Sequence, residues 1–212
     1  MSDRQIESIS DEERLLAAMA YGEASTSNDI DELKALASVL VRQRDARGYT
    51  TMKDFVDGEP SYSYVVGDGN AKYKKFNEAK DEDIFNDTGM SNALAAAKNA
   101  LSDGPDLSNG AYFWDGADIK SNYSKHFKVK HGIKFTDPSH NIYDIKESTK
   151  IVILYKVVKV KKTVKGKVKI TKQKVEVGRY DHVYDSTAAY GGTIFWKNND
   201  DYITLSKGKL YK

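Results

Sequence analysis

The residue best placed to do chemistry is Glu23, which lies near the end of a predicted helix, within the segment 19–25. Apolar residues before it recur at spacings of three and four and form the core-facing side of that helix: Leu15, Leu16, Met19 and Ala20. Glu23 falls on the same side. A carboxyl group that loses contact with water has a raised pKa and stays protonated at neutral pH, the state that a general acid needs.

A second interpretation of Glu23 stays open from these residues alone. A partly buried glutamate can instead form an ion pair with an arginine, for which Arg42 is available. Gly22 comes directly before the glutamate, and we expect it to loosen the helix and let a substrate approach the backbone closely.

Helical patterns fill the first hundred residues and position Glu23. Ser10 and Glu13 have the spacing of a capping box, which predicts a first helix over 11–24. A second helix is predicted over 30–46, closed by Gly48, with an apolar stripe that includes Leu33, Leu36 and Leu40. Shorter helices are expected over 51–56, 72–85 and 91–101, the last with Ser91 as its cap, and a loop is expected over 59–70.

The pattern changes near residue 148 from helical spacing to alternation. Two long strands are predicted over 151–164 and 167–177, joined by a turn at Lys165-Gly166, and short strands over 180–184, 193–196 and 202–205. These patterns predict an α+β protein of two units, a mostly helical domain over 1–148 and a small antiparallel β-rich module over 149–212.

Composition narrows the classes of function. The 212 residues are 40% hydrophobic and 30% charged, with no cysteine, which excludes a disulfide framework and cysteine-ligated metals. The N-terminus lacks the apolar run of a signal peptide, and no stretch is long enough to cross a membrane. We therefore expect a protein made in the cytoplasm without a signal peptide and without a membrane span.

The net charge of +2 hides a lysine-rich segment, 156–174, with nine lysines and no acidic residue. Lysines on a ribbon edge usually keep the edge solvated and free of aggregation. The alternative is attraction to a polyanion such as a cell-wall polymer. Nucleic acid is not an expected partner, because the segment has no aromatic residue on which bases could stack.

Other kinds of catalytic site find little support in the sequence. His126, His131 and His140 follow Asp118 at irregular spacing without an HExxH pattern, so no metal centre and no cofactor is expected. A serine-hydrolase Gly-x-Ser-x-Gly motif is missing, and Gly67-Asp68-Gly69 is too short for a phosphate-binding loop. Of the kinds of catalytic site considered, the one that remains uses carboxylates in the helical domain.

Several segments resemble a family of cell wall hydrolases that includes spore-cortex-lytic enzymes. The segment 20–24, Ala-Tyr-Gly-Glu-Ala, is similar to that family's Tyr-Gly-Glu-Ala motif, and 37–42 follows at the matching distance. Weaker similarities lie in 62–69, 110–114 and 140–143, so that the resemblance covers roughly residues 11–145. The chain departs from the family where Val41-Arg42 replaces an Asn-Arg pair and where a Gly-Glu is missing after Glu23.

The resemblance implies a lysozyme-like fold that cleaves the β-1,4 glycosidic bond of peptidoglycan, with the glycan strand as substrate and Glu23 as proton donor. It also implies that Ser63 and Tyr64 bind sugar hydroxyls or the N-acetyl group. Tyr112 and Trp114 are expected to be core aromatic residues that border the cleft.

Glycoside hydrolysis usually needs a second carboxylate. Glu32 is the first candidate, because the turn over 24–30 folds the second helix back on the first; Asp68 and Asp118 come next. The alternative for Glu32 is a first-turn acid that interacts favourably with the helix dipole. If no carboxylate faces Glu23, a lytic transglycosylase is favoured, in which the muramic acid 6-hydroxyl attacks and one glutamate acts as acid and then as base.

The segment 186–196 resembles, weakly, the tails of bacterial toxin-type hydrolases delivered by secretion machines. That resemblance implies an antibacterial muramidase that acts in the periplasm of a target cell, with an immunity protein and a secretion-machine carrier as partners. The competing class is a non-catalytic protein that binds the wall or acts as an adaptor through its β-rich tail.

Overall fold

In the computed structural model, which describes residues 8–62 and 64–212, helix α1 (Asp11–Glu23) begins at the predicted capping box. The Ser10 hydroxyl accepts a hydrogen bond from the Glu13 N–H, and the Glu13 carboxylate accepts one from the Ser10 N–H at 2.9 Å. The second half of α1, residues 16–21, is buried on every side rather than along one stripe. Its alanines let neighbouring helices approach closely, so α1 is the central helix of the core.

Two long helices pack against α1 and against each other, α2 (Ile30–Ala46) and α7 (Thr88–Leu101). The bounds of α2 are those that the sequence predicts. Helix α7 begins three residues before the predicted start, because Asp87 rather than Ser91 caps it: the Asp87 carboxylate accepts a hydrogen bond from the Met90 N–H at 3.0 Å.

Among the described residues, four short helices connect α2 to α7: α3 (Met52–Gly58), α4 (Tyr64–Gly67), α5 (Ala71–Glu78) and α6 (Asp81–Asn86). The predicted loop over 59–70 therefore contains a helical turn, and the predicted helix over 72–85 is broken in two. The break is held by Arg14, whose guanidinium donates to the Ala79 carbonyl at 3.0 Å and forms an ion pair with Asp81. A long-range side chain thus satisfies backbone groups that a continuous helix would have paired internally.

The strands are β1 (Phe113–Asp115), β2 (Ile133–Lys134), β3 (Val152–Val164), β4 (Lys167–Tyr180), β5 (Tyr184–Tyr190) and β6 (Thr193–Asn198). Four of them form one sheet in the order β1-β6-β5-β2, in which β2 and β5 are parallel and the other pairs antiparallel. Short helices α8 (Asp118–Ser121) and α9 (Phe127–His131) and a 3-10 turn (Pro138–His140) lie between β1 and β3.

The predicted strand over 202–205 is wrong, because these residues belong to helix α10 (Asp200–Ser206). Asn199 caps this helix: its side-chain oxygen accepts a hydrogen bond from the Tyr202 N–H at 3.2 Å. A local cap thus overrides the β propensity of the segment. None of the described helices has the length and apolarity that crossing a bilayer requires.

The four-stranded sheet crosses the boundary that the composition suggests at residue 148. Strands β5 and β6 come from the predicted β-rich module, yet they pair with β1 and β2 of the predicted helical domain. Ala188 and Phe195 are buried in the same core cluster as α1, α2 and α7. Strands β5 and β6 therefore complete the core of the first unit.

The remaining β structure is a two-stranded antiparallel ribbon, β3 and β4, which pairs Val152 with Tyr180 at its base and Val164 with Lys167 at its tip. Both turn residues, Lys165 and Gly166, have positive φ angles of 50° and 73°, as a tight hairpin requires. This confirms the predicted hairpin. Most of the ribbon is exposed on both faces.

Candidate active site

Glu23 is the last residue of α1 and is partly buried. The indole N–H of Trp114, from β1, donates a hydrogen bond to Glu23 Oε2 at 3.2 Å. Burial raises the pKa of Glu23 most strongly; the hydrogen bond from Trp114 lowers it, and the negative charge of Asp68 raises it further. The resulting pKa lies above the ordinary value, which favours the protonated form.

The ion pair with Arg42 that the sequence left open does not form. Arg42 instead pairs with Asp106 and donates to Ser108 Oγ at 3.1 Å. Among the described residues, no lysine or arginine forms an ion pair with Glu23. In the part of the chain that the structure describes, the hydrogen bond from Trp114 is what opposes the effect of burial on the pKa of Glu23.

Two side chains from α5 hold the backbone around Glu23. The amide of Asn70, the cap of α5, donates to the Gly22 carbonyl at 3.1 Å. The ammonium of Lys72 donates to the carbonyls of Ala24 and Ser25 at 3.0 and 2.8 Å. Lys72 therefore caps the C-terminal end of α1, where carbonyl groups lack intrahelical partners and a cation is favourable.

Gly22 has a different role from the one that the sequence suggests. A Cβ atom at this position would lie 2.4 Å from Val65 Cγ2 and 3.2 Å from Tyr73 Cβ. The space beside Gly22 is thus filled by α4 and α5 rather than left for a substrate. The glycine lets these helices, which carry Asp68 between them and Asn70 at the start of α5, pack directly on the end of α1.

Trp114 is itself supported from α2. Its ring packs against Tyr62 with a centroid separation of 6.2 Å, and the Tyr62 hydroxyl accepts a hydrogen bond from the fully buried Gln43 amide at 2.9 Å. The guanidinium of Arg47 lies 4.6 Å from the centre of the Tyr62 ring. Gln43 and Arg47 are one helical turn apart, so α2 orients the aromatic pair that contacts Glu23.

A cleft of about 570 Å³ lies beside Trp114 and is lined largely by aromatic side chains: Tyr62, Phe113, Trp114, Phe127, Tyr184 and Tyr202. Phe127 is 63% exposed there. Aromatic rings with exposed faces are suited to stack on the apolar faces of sugar rings. Trp114 lines this cleft and also donates the hydrogen bond to Glu23, whereas Glu23 is not among the residues that line it.

Tyr112 lies elsewhere, although it is only two residues from Trp114. Its ring lines a separate cleft of about 350 Å³, where the Arg42 guanidinium lies 5.6 Å from the ring centre. The two clefts share no lining residue. The structure therefore brings Trp114, and not Tyr112, to Glu23.

Glu32 is fully buried and its carboxylate is enclosed by protein donors. Oε1 accepts hydrogen bonds from the N–H groups of Ser25 (3.2 Å) and Gly192 (3.1 Å) and from Thr193 Oγ1 (2.7 Å), and Oε2 accepts one from Ser25 Oγ (2.6 Å). These bonds join the turn after α1 to the turn between β5 and β6. This geometry favours a structural role over that of a base that activates water.

Asp68 is the candidate carboxylate that acts on Glu23, since its charge raises the pKa of Glu23. It is exposed, and its Oδ1 accepts a hydrogen bond from the Asn70 N–H at 2.8 Å. Of the two predicted sugar-binding residues nearby, Ser63 lies outside the described residues. Tyr64 begins α4, and its side chain is likewise outside the described part of the chain.

Asp118 is exposed at the start of α8, where its carboxylate lies 3.4 Å from His126 Nε2. The same nitrogen lies 3.3 Å from the carboxylate of Asp115 in β1. Although the sequence predicts no metal site, these three residues form the one group in the described part of the chain with the geometry to hold a metal ion. His131 and His140 lie apart from it, bonded to the Phe127 carbonyl and to Ser186 Oγ.

Sequence reasoning missed the residues that support Glu23: Gln43, Tyr62, Asn70 and Lys72. Asn70 had a local signal, because asparagine before a helical segment is a common cap. Lys72 and Gln43 had none, since each acts through a contact with a residue more than 15 positions away.

Comparisons of the chain with models of protein families, with curated proteins and with solved structures found no match. The likeness to cell wall hydrolases therefore rests on the sequence motifs alone.

Proposed function

We propose that this protein is a peptidoglycan glycosidase of the muramidase type, which cleaves the β-1,4 bond between N-acetylmuramic acid and N-acetylglucosamine. The observation that supports it most is the state of Glu23, a carboxyl group with a raised pKa, no partner cation among the described residues and a hydrogen bond from Trp114, which lines the aromatic cleft. In this role Glu23 donates its proton to the glycosidic oxygen while the C–O bond breaks and positive charge develops on the sugar ring.

The aromatic cleft beside Trp114 is the proposed binding site for the glycan strand. A chain of N-acetylated sugars presents apolar ring faces and many hydroxyl groups, which suits exposed rings next to polar side chains. The Trp114 indole contributes to glycan binding and to proton transfer, because it borders the cleft and also donates the hydrogen bond to Glu23.

For the second carboxylate we favour Asp68 over Glu32. The four hydrogen bonds to Glu32 leave it poorly placed to activate a water molecule. Asp68 is exposed and acts electrostatically on Glu23. The second candidate function is a lytic transglycosylase, and the enclosure of Glu32 favours it, since that reaction needs only one glutamate.

The substitution Glu23→Gln tests the assignment of the acid. We expect it to lower the rate at which the protein clears a peptidoglycan suspension by at least about 100-fold, the lower end of what general acid catalysis contributes. The variant should melt at or above the wild-type temperature at neutral pH, because an amide avoids the cost of ionising a buried carboxyl. A variant as active as the wild type would refute the role of Glu23. An inactive wild type that still binds the wall would favour the non-catalytic alternative.

The products and the substitution Asp68→Asn separate the two reactions. Hydrolysis leaves a reducing muramic acid end, whereas transglycosylation leaves a 1,6-anhydro end, and mass spectrometry of the released fragments distinguishes them. We expect reducing ends, together with a loss of activity in Asp68→Asn. Anhydro ends from both proteins at similar rates would show that Asp68 is not needed and that the reaction is transglycosylation.

We further propose that the enzyme acts in the periplasm of a target bacterium, delivered by secretion machinery and inhibited in its producer by an immunity protein. The support is the sequence alone, through its weak resemblance to toxin-type hydrolases. The test expresses the wild type and Glu23→Gln in a host, each either directed to the periplasm or kept in the cytoplasm. We expect cell lysis only when the wild type is in the periplasm.

A further inference from the structure

The group formed by Asp115, Asp118 and His126 lies outside the proposed chemistry of Glu23 and has a geometry of its own. His126 Nε2 lies 3.3 Å from Asp115 Oδ1 and 3.4 Å from Asp118 Oδ2, and the three ligand atoms are all within 4.8 Å of one another. Ligand atoms around a tetrahedral zinc ion, each about 2.0–2.2 Å from the metal, are about 3.3–3.5 Å apart. Both measured separations fall in that range.

Burial sets this group apart from an ordinary surface cluster of charges. The side chains of His126 and Asp115 are only 10% and 9% exposed. Asp115 Oδ2 is enclosed and has no hydrogen-bond partner among the described residues. Leaving a buried carboxylate oxygen unpaired is costly, and coordination to a cation would satisfy it. Asp118, at 59% exposure, leaves the group open to solvent, so that an ion can enter.

Charge also permits a divalent cation. The ammonium of Lys128 lies 2.9 Å from Asp115 Oδ1 and offsets one of the two carboxylates. With a neutral imidazole, the group then keeps one net negative charge for a dication to neutralise. The same lysine competes for Asp115 Oδ1, the oxygen that lies 3.3 Å from His126 Nε2, so a metal would either displace the ammonium from Oδ1 or bind the unpartnered Oδ2.

We propose that Asp115, Asp118 and His126 bind one divalent transition-metal ion, for which Zn²⁺ is the best match. Imidazole nitrogen and carboxylate oxygen both bind zinc, and three protein ligands leave a fourth position for water. His126 Nδ1 is buried without an acceptor among the described residues. The site thus lacks the outer hydrogen bond that tightens most metal–histidine bonds, which should weaken binding by about 10- to 100-fold.

The ion would act as a clamp on the chain beside the candidate active site. Asp115 directly follows Trp114 in β1, whereas Asp118 and His126 lie on the segment that leads into α9 and Phe127. Binding all three would tie this segment to the strand that carries Trp114. The inference does not depend on the proposed glycosidase activity, since a structural ion is measurable in an inactive protein.

The test uses full-length protein without a histidine tag, treated with a chelator and titrated with ZnCl₂ by calorimetry. We expect one zinc ion per chain and, at a free concentration 100 times the dissociation constant, a rise in melting temperature of roughly 5 to 10 °C. Asp118→Asn and His126→Gln should each bind zinc at least about 10-fold more weakly than wild type. The exposed substitution Asp118→Asn should melt like wild type without metal.

The control variant is His131→Gln, which removes a nearby histidine outside the group and should bind zinc like wild type. Absence of stoichiometric binding by the wild type would overturn the proposal. So would equal affinity in wild type, Asp118→Asn and His126→Gln, because zinc would then be bound elsewhere on the chain. Equal loss in His131→Gln and His126→Gln would assign binding to the two histidines at the ends of α9 rather than to the proposed group.

Discussion

At the scale of single residues, the proton on Glu23 is controlled by neighbours that act in opposite directions. The indole of Trp114 donates a hydrogen bond to the carboxylate and so lowers the pKa, whereas the charge of Asp68 raises it. Burial acts in the same direction as Asp68 and outweighs the indole. The two neighbours can therefore be removed separately, with opposite consequences for the same group.

The pH profile tests this arrangement. A general acid must be protonated, so kcat/KM should fall as the pH rises through the pKa of Glu23. We expect the basic limb of the profile to move to higher pH in Trp114→Phe, which loses the hydrogen bond but keeps an aromatic ring. It should move to lower pH in Asp68→Asn. The measurement is kcat/KM against pH on soluble glycan fragments.

The position of the limb, not the size of kcat/KM, is the result to compare, because Trp114 also borders the cleft. Where a variant is too slow to assay, titration of the Glu23 carboxyl by NMR gives the same comparison. Shifts of the same sign in both variants, or none in either, would contradict the assignment of these two neighbours.

At the scale of elements, Glu32 joins two turns that are far apart in the chain. Its carboxylate accepts hydrogen bonds from Ser25 in the turn after α1, from Gly192 in the turn between β5 and β6, and from Thr193 at the start of β6. Gly191 has a φ angle of 55°, and a Cβ atom there would lie 2.5 Å from Glu32 Oε2. The β5–β6 turn approaches α2 this closely only because a glycine stands at that position.

Glu32→Ala should lower the free energy of unfolding by about 3 to 5 kcal/mol, because it leaves one buried and three partly buried donors without this partner. Asp31→Asn is the matched control: it removes an acid from the same first turn of α2, and should cost no more than about 1 kcal/mol, the contribution of the helix dipole. Urea denaturation followed by circular dichroism measures both values. Equal, small costs would mean that Glu32 acts only on the dipole.

At the scale of the whole molecule, charge and fold are distributed unevenly. The lysines of 156–174 lie on the exposed ribbon of β3 and β4, away from the two core clusters. The part of β4 near its end packs on α10, where a Cβ atom on Gly178 would meet Leu205. The outer part of the ribbon can therefore be shortened without disturbing the core, whereas changes at the base of the ribbon would disturb its packing on α10.

A shortened ribbon tests this separation. Lys156 and Val175 are paired across the ribbon, so deletion of 157–164 and 167–174 leaves them joined by the native Lys165-Gly166 turn in the same register. We expect a melting temperature within about 2 °C of wild type, since the residues lost are exposed apart from Val158 and Val160, which are partly buried. Turnover of soluble glycan should be unchanged.

Retention on insoluble cell wall at low and high salt then gives the ribbon's role. Weaker retention than wild type at low salt only would identify attraction to a polyanion, because such contacts are screened by salt. Equal retention of the wild type and the shortened variant would favour the alternative that the lysines only keep the ribbon edge solvated. A large fall in melting temperature would contradict the view that the outer ribbon is independent of the core.

Features carried by short stretches of chain were predictable from the sequence by itself. The capping box at Ser10 and Glu13, the bounds of α2 and the Lys165-Gly166 turn each depend on residues within one turn of one another. The α+β composition follows from the same local patterns. The burial of Glu23 was also visible, because helical spacing places it next to apolar residues on the same helix.

Only the tertiary structure decided what surrounds that glutamate. Trp114 reaches Glu23 across 91 positions in the chain, and Thr193 reaches Glu32 across 161. The sequence likewise could not show that β5 and β6 pair with β1 and β2, because pairing depends on which edges meet after folding. Spacing along the chain predicts which face a side chain occupies; which distant residue meets that face is set by how the helices and the sheet pack together.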